Sequence, residues 1–215
     1  MHTVTCYLDP VSPFAWLATK QLDRIEATGC TVVFEPVLFA ALLNAHGQKG
    51  PAEIPAKRTY TFRDVLRQAS EQGLRFIGPP GHPFNPLLAL RMSTAIAQPQ
   101  DRRRFMLAQM AACWEDGADI SDPAVLVALA DAHGLDGATL VLAAGTPSVK
   151  QALADASARA IAAGVFGVPT FEYQGELFWG GDRIDSLLWR IAGNRVDEEV
   201  LQDFLARPAL AQRRL

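Results

Sequence analysis

Cysteine, net charge and long apolar runs are all scarce in this sequence, and each shortage removes a class of function. Cys6, Cys30 and Cys113 are an odd, scattered set with no CxxC spacing, which builds no disulfide framework and fits a reducing compartment. With 20 Lys+Arg against 23 Asp+Glu and a net charge of −3, the chain lacks the global basic field that a nucleic-acid partner would need. Its one dense basic run, "DRRRF" at 101–105, reads as a solvated helix face. There is no stretch of 18 apolar residues and no basic segment leading into a short apolar one, so neither membrane insertion nor export is expected and a cytoplasmic location is. The four histidines (His2, His46, His82 and His133) have no spacing diagnostic of a metal site or of a serine–histidine pair, and no metal is expected. His82, in the loop "GPPGHPFNP", is the hardest of the four to set aside.

What is present is a core. A hydrophobic content of 49% over 215 residues supports a globular protein of one large domain or of one domain carrying an insertion. "TVTCYL" (3–8) predicts a strand; apolar residues at Phe14, Leu17, Ala18, Leu22 and Ile25 predict one helix closed by Gly29; "TVVFEPVLF" (31–39) predicts a second strand. Two strands joined by such a helix are expected to be parallel, with a right-handed crossover. From 40 to 164 the strong periodicities are helical, with Asp122-Pro123 and Thr146-Pro147 as starts. Strands return around 169–173 and 176–179, about a turn at Gln174-Gly175, before a final helix predicted to be capped by Asp182. The order β-α-β, helical block, β-β-α predicts an α/β, thioredoxin-like fold with a large all-helical domain inserted after the first βαβ unit. The expected division is 1–39 plus 165–215 against 40–164, because neither outer segment has strands enough to bury its own sheet face.

Three short motifs carry the functional information. In "DPVSPFAWLA" (9–18), Ser12 followed by Pro13 reads either as a plain N-cap or as the open first turn of a helix that holds an anion beside the serine hydroxyl. In "GVFGVPTF" (164–171), Pro169 reads either as the opening of an edge strand or as a cis-proline loop whose preceding residue, Val168, offers its backbone to a peptide-like ligand. In "FWGGDR" (178–183), Gly180, Gly181 and Asp182 read either as a capped turn or as a cradle in which glycines admit a carboxylate and Asp182 takes an ammonium group.

Together, in this order and around a helical insertion, the motifs resemble the 2-hydroxychromene-2-carboxylate isomerases, relatives of the kappa-class glutathione transferases and, more distantly, of DsbA-like oxidoreductases. The resemblance spans nearly the whole chain. It implies glutathione as cofactor, with Ser12 at the thiol, the Val168 backbone before Pro169 on the cysteinyl part, and Trp179, Gly180, Gly181 and Asp182 around the γ-glutamyl end. It further places Lys57 near the glycyl carboxylate and Gln48 where an asparagine commonly lies. Phe14 and Asn85 are the expected substrate-facing residues, Asn85 as the polar group of a wall formed by "HPFNPLLALR" (82–91), although an N-cap before Pro86 is the competing reading. The chain also departs from the family. Naphthalene-pathway isomerases place a lysine where Leu43 and Asn44 stand here, and an Asn-Arg pair where Glu53 and Ile54 stand; Lys49 and Arg91 are the nearest replacements.

"SPFA" at 12–15 has no sulfur, which excludes dithiol–disulfide exchange through this motif, and no histidine and acid complete an acyl-type nucleophile around Ser12. What is left to the serine is stabilising an external thiolate by hydrogen bond and helix dipole. The expected activity is therefore a glutathione-dependent isomerisation of a small electron-poor substrate in aromatic catabolism, by a homodimer without nucleic-acid or membrane partners. The alternatives are a kappa-like transferase, which would release a conjugate, and a non-catalytic glutathione- or peptide-binding module.

Overall fold

The computed structural model describes residues 2–211. Four strands form one sheet in the order β2-β1-β3-β4, where β1 is Thr3–Leu8, β2 Thr31–Pro36, β3 Thr170–Tyr173 and β4 Glu176–Trp179. β1 lies parallel to β2, from Thr3 against Thr31 to Leu8 against Pro36, and antiparallel to β3, with Tyr7 opposite Thr170. The β3–β4 hairpin turns at Gln174-Gly175, both with positive φ, as a tight two-residue connection requires.

Strand alternation sends Val4, Cys6 and Leu8 to one face and Tyr7 to the other. The first face builds the main core with Val32, Phe34, Phe171 and Trp16, while Tyr7 joins Val37, Leu42, Ala160 and Val168 in a smaller cluster. The crossover after β1 is α1 (Pro13–Thr19) and α2 (Leu22–Glu26), two helices rather than the single one predicted. At the break, the Thr19 hydroxyl donates to the Trp16 carbonyl at 2.6 Å and the Lys20 and Gln21 amides take i−3 carbonyls, tightening the turn into 3₁₀ form.

All of the segment from 39 to 162 is helical or loop: α3 (Phe39–Ala45), α4 (Pro55–Glu71), α5 (Leu87–Ala95), α6 (Pro99–Trp114), α7 (Pro123–Ala132), α8 (Gly137–Ala144) and α9 (Pro147–Ala162). The second strand thus ends at Pro36, three residues short of the expectation, because α3 already begins at Phe39, whose amide donates to the buried Asp9 carboxylate at 2.9 Å. Asp122 and Thr146 cap α7 and α9 as their Pro-adjacent positions predict. α8 was not foreseen; Asp136 caps it by accepting from the Thr139 amide at 2.8 Å. Helices α5, α6 and α9 pack directly on β2, and α6 also on α1, so helical segment and sheet share the main core. The chain continues through α10 (Ile184–Ile191), which covers β3 and β4, to α11 (Glu198–Leu205). Among the described residues no helix is long and apolar enough to cross a membrane.

Candidate active site

Ser12 stands where β1 gives way to α1. Its extended backbone and its hydroxyl, which accepts from the Ala15 amide at 3.2 Å, make it the N-cap, with Pro13 at the first helical position. The same hydroxyl donates across the molecule to the Val168 carbonyl at 3.3 Å. The Val168–Pro169 bond is cis. The cap and the ligand readings of Ser12 are thus not exclusive: one oxygen caps the helix and meets the cis-proline loop, and Ser12 is 8% exposed, at the wall of a cavity of about 1010 Å³.

The glycine turn after β4 closes on this junction. The Gly180 amide donates to the Pro169 carbonyl at 2.9 Å. Gly180 holds φ +102°, and a Cβ there would lie 2.3 Å from an Asp182 carboxylate oxygen. Gly181 presses on α1, where a Cβ would come within 3.1 Å of the Ala18 Cβ. Gly167 lets the Trp179 indole lie across the backbone, and Phe166 meets that ring edge-on at 4.9 Å. These are close approaches that only glycine permits, and they bring three sequence-distant motifs to one wall.

The remaining candidates fall into two groups. Phe14, Gln48 and Lys57 line the same cavity as Ser12, Val168, Pro169, Trp179, Gly180, Gly181 and Asp182, and so does Lys49. Asn85 does not: it is exposed, and its side-chain oxygen accepts from the Leu87 amide at 3.0 Å in a turn just ahead of α5, whose N-cap is Pro86, so the N-cap reading of Asn85 fails as well; His82, Pro83, Phe84 and Pro86 supply the wall instead. Arg91 likewise lies away from the cavity, with its Nε buried and unpartnered among the described residues. Asp182 needs a second correction. It sits inside a 3₁₀ turn at Gly181–Arg183, α10 starts at Ile184 without a side-chain cap, and the exposed Asp182 carboxylate pairs with Arg183 at 2.6 Å rather than with the helix.

Sequence reasoning missed the most perturbed group of the site. Asp9 is fully buried beneath the cavity and accepts from the Val11 and Phe39 amides at 2.9 Å each. Burial pushes its carboxyl from the ordinary 3.8 up to about 7, against the opposing effect of those two hydrogen bonds. His82 has no role that its sequence neighbours announce: its Nε2 donates to the Val11 carbonyl at 2.9 Å, and burial is the main cause holding its pKa below the ordinary value, with the Arg58 charge adding to it. All three cysteines are buried and free, and burial raises the Cys6 and Cys113 thiols well above the ordinary value, so none offers a reactive thiolate here.

The chain is similar to known proteins over most of its length. The chain is 29% identical to a 2-hydroxychromene-2-carboxylate isomerase of Sphingobium xenophagum, over 86% of this chain and 95% of that protein. It is 25% identical to the human glutathione S-transferase kappa 1, over 86% and 89% of the two chains. Among solved structures, a 2-hydroxychromene-2-carboxylate isomerase superposes with a TM-score of 0.81 at 20% identity, covering 96% of this chain and all of that one, a likeness of fold. The model of the DSBA-like thioredoxin domain matches residues 3–192, strands, helical segment and glycine turn included, and the chain therefore belongs to the family of DSBA-like thioredoxin domains.

Proposed function

We propose that this protein is a glutathione-dependent isomerase that acts on a small substrate with a conjugated double bond. The observation that carries the reading is the Ser12 hydroxyl, set at the start of α1 and 3.3 Å from the carbonyl that precedes a cis-proline, on the wall of a large and mostly apolar cavity. The glutathione S-transferase and isomerase relatives support it. So does the lining of the cavity: Gly180 and Gly181 both border it, packed too closely on Asp182 and Ala18 to carry a side chain. Asp182, Lys57 and Val168 also line the cavity, and in this reading Asp182 takes an ammonium group, Lys57 a carboxylate, and the Val168 backbone the middle of an extended tripeptide. Gln48 and Trp179 complete that set, while Phe14 and the rings from the helical segment face the substrate.

Bound glutathione would supply the thiolate that adds reversibly to the double bond and leaves it isomerised. The protein's part is to make and hold that thiolate. Ser12 donates a hydrogen bond to the sulfur in place of Val168, and the Phe14 amide and the dipole of α1 favour its negative charge. In this reading 1–39 with 165–215 holds most of the cofactor, while 40–164 adds Gln48 and Lys57 and supplies the opposing wall, in a cytoplasmic enzyme. The homodimer implied by family resemblance would have an apolar surface available on α11, where Val200, Phe204 and Leu205 are exposed. With Leu43 lining the cavity where a cation is expected, and Glu53 engaged by the Gly50 amide, the acceptor is expected to depend less on a carboxylate than 2-hydroxychromene-2-carboxylate does.

Product analysis tests the reading. Incubated with glutathione and a conjugated enone, the protein should return an isomer with glutathione unconsumed, and Ser12→Ala should cut kcat by roughly a hundredfold while changing the glutathione KM little. Stoichiometric loss of glutathione into a conjugate would establish the transferase alternative. Saturable binding without turnover of any enone would establish the binding module.

A further inference from the structure

Asp9, Pro10 and Val11 belong to neither strand nor helix, so their backbone polar groups must be satisfied by other means. The Ser12 amide donates back to the Asp9 carbonyl at 3.1 Å, and the Pro10 carbonyl accepts from the Trp114 indole at 3.0 Å. Val11 is held by side chains on both sides: its N–H donates to Asp9 Oδ1 and its C=O accepts from His82 Nε2, each at 2.9 Å. These grips fall on successive peptide planes. Together they fix φ and ψ of Val11, the last two torsions before Ser12.

The chemistry of His82 argues for holding rather than proton transfer. Because Nε2 donates to a carbonyl, the ring proton is assigned to Nε2, and Nδ1 is left as a buried lone pair without a partner among the described residues. Nε2 could reach a substrate only by releasing Val11. The ring is also confined: Phe62 meets it edge-on at 5.1 Å, Trp114 at 5.6 Å and Phe84 at 6.4 Å between centroids. Asp9 is anchored just as firmly, since its second oxygen takes the Phe39 amide at the start of α3.

We propose that Asp9 and His82 are positioning residues that grip Val11 from opposite sides and thereby fix the Ser12 hydroxyl against Val168. The proposal rests on the reading of Ser12 as the partner of the glutathione thiolate. Two of the three gripping side chains, His82 and Trp114, come from the helical segment. The wall facing the substrate and the loop presenting Ser12 therefore move as one piece, and a displacement of about 1 Å at such a group is enough to change a rate a hundredfold.

The test compares His82→Phe, which keeps a ring in the aromatic cage, with His82→Gln, which restores a side-chain N–H near the Nε2 position. Both are first checked for folding by thermal melting. Three readouts follow: exchange of the Ser12 amide hydrogen without glutathione, the thiol pKa of bound glutathione from its ultraviolet absorbance, and kcat against KM. In His82→Phe, Ser12 exchange should quicken and kcat should fall, each by about tenfold, and the bound thiol pKa should rise. The glutathione KM should stay within about threefold of the original, and His82→Gln should recover most of each loss. A folded His82→Phe protein with the original exchange rate and kcat overturns the proposal, as does a Gln variant no better than Phe. If the unsubstituted protein neither binds nor uses glutathione, the reading of Ser12 fails, and the exchange rates alone still decide whether the grip exists.

Discussion

Asp9 makes a prediction about stability that needs no substrate. Its carboxyl titrates near 3.8 in the unfolded chain and at about 7 when buried in the native one. The native state therefore binds this proton more tightly, and between those two values it holds more of it than the unfolded state does. Stability then falls as pH rises through that window. At about 1.4 kcal/mol for each pH unit, the loss between roughly pH 5 and pH 8 is about 3 kcal/mol. For a chain of this length that is a drop in Tm of roughly 10 °C. Other groups titrate too, so the informative quantity is the difference from Asp9→Asn, which cannot ionise. Asparagine gives up one of the two amide hydrogen bonds, an offset of about 1–3 kcal/mol that does not vary with pH. Urea denaturation of both proteins across the range should therefore show two curves that converge or cross, the variant gaining on the original as pH rises. Parallel curves would mean that Asp9 ionises outside this window, and that burial does not dominate its environment.

Two further predictions concern the glycine turn. Asp182→Ala should raise the glutathione KM several-fold yet move Tm by no more than about 2 °C, because the carboxylate pairs with exposed Arg183 and caps no helix; a large loss of stability would restore the capping role. Gly181→Ala places a methyl 3.1 Å from Ala18 Cβ and 3.3 Å from its Cα, and a helix backbone yields little, so about 1–3 kcal/mol should be lost in urea denaturation. An unchanged midpoint with an unchanged KM would show that the turn and α1 can separate freely.

The parts of this molecule that were legible in the sequence are those whose cause is local. A serine before a proline is a helix start wherever it occurs, a proline before a strand forces a special junction, and paired glycines mark a close approach. What escaped depends on distant partners. Asp9 looks like a turn residue until its carboxylate is seen on an amide 30 residues away. His82 acquires a role from Val11, 71 residues before it, and the Trp114 indole reaches back 104 residues to Pro10. The strand predicted to run to residue 39 stops early for the same reason, since nothing in "VLFAALL" announces that a buried carboxylate waits for the Phe39 amide. Asn85 and Asp182 each stand a residue or two from a helix start, and short local bonds, to the Leu87 amide and to Arg183, draw both side chains away from the capping position.

Strand β1 is made before either of the strands that flank it in the sheet. As the chain leaves the ribosome, β1 can pair with β2 within some forty residues, but its other edge stays open until Thr170–Tyr173 emerges after the whole helical segment. Such a long-range closure is intrinsically slow, and an unpaired strand edge invites wrong partners. The helices that arrive in between pack on β2 and cover the half-built sheet on both faces, α5 and α6 on the main-core face and α9 on the Tyr7 face. Ser12 is therefore synthesised long before the Val168 carbonyl it meets, which lies 156 positions downstream.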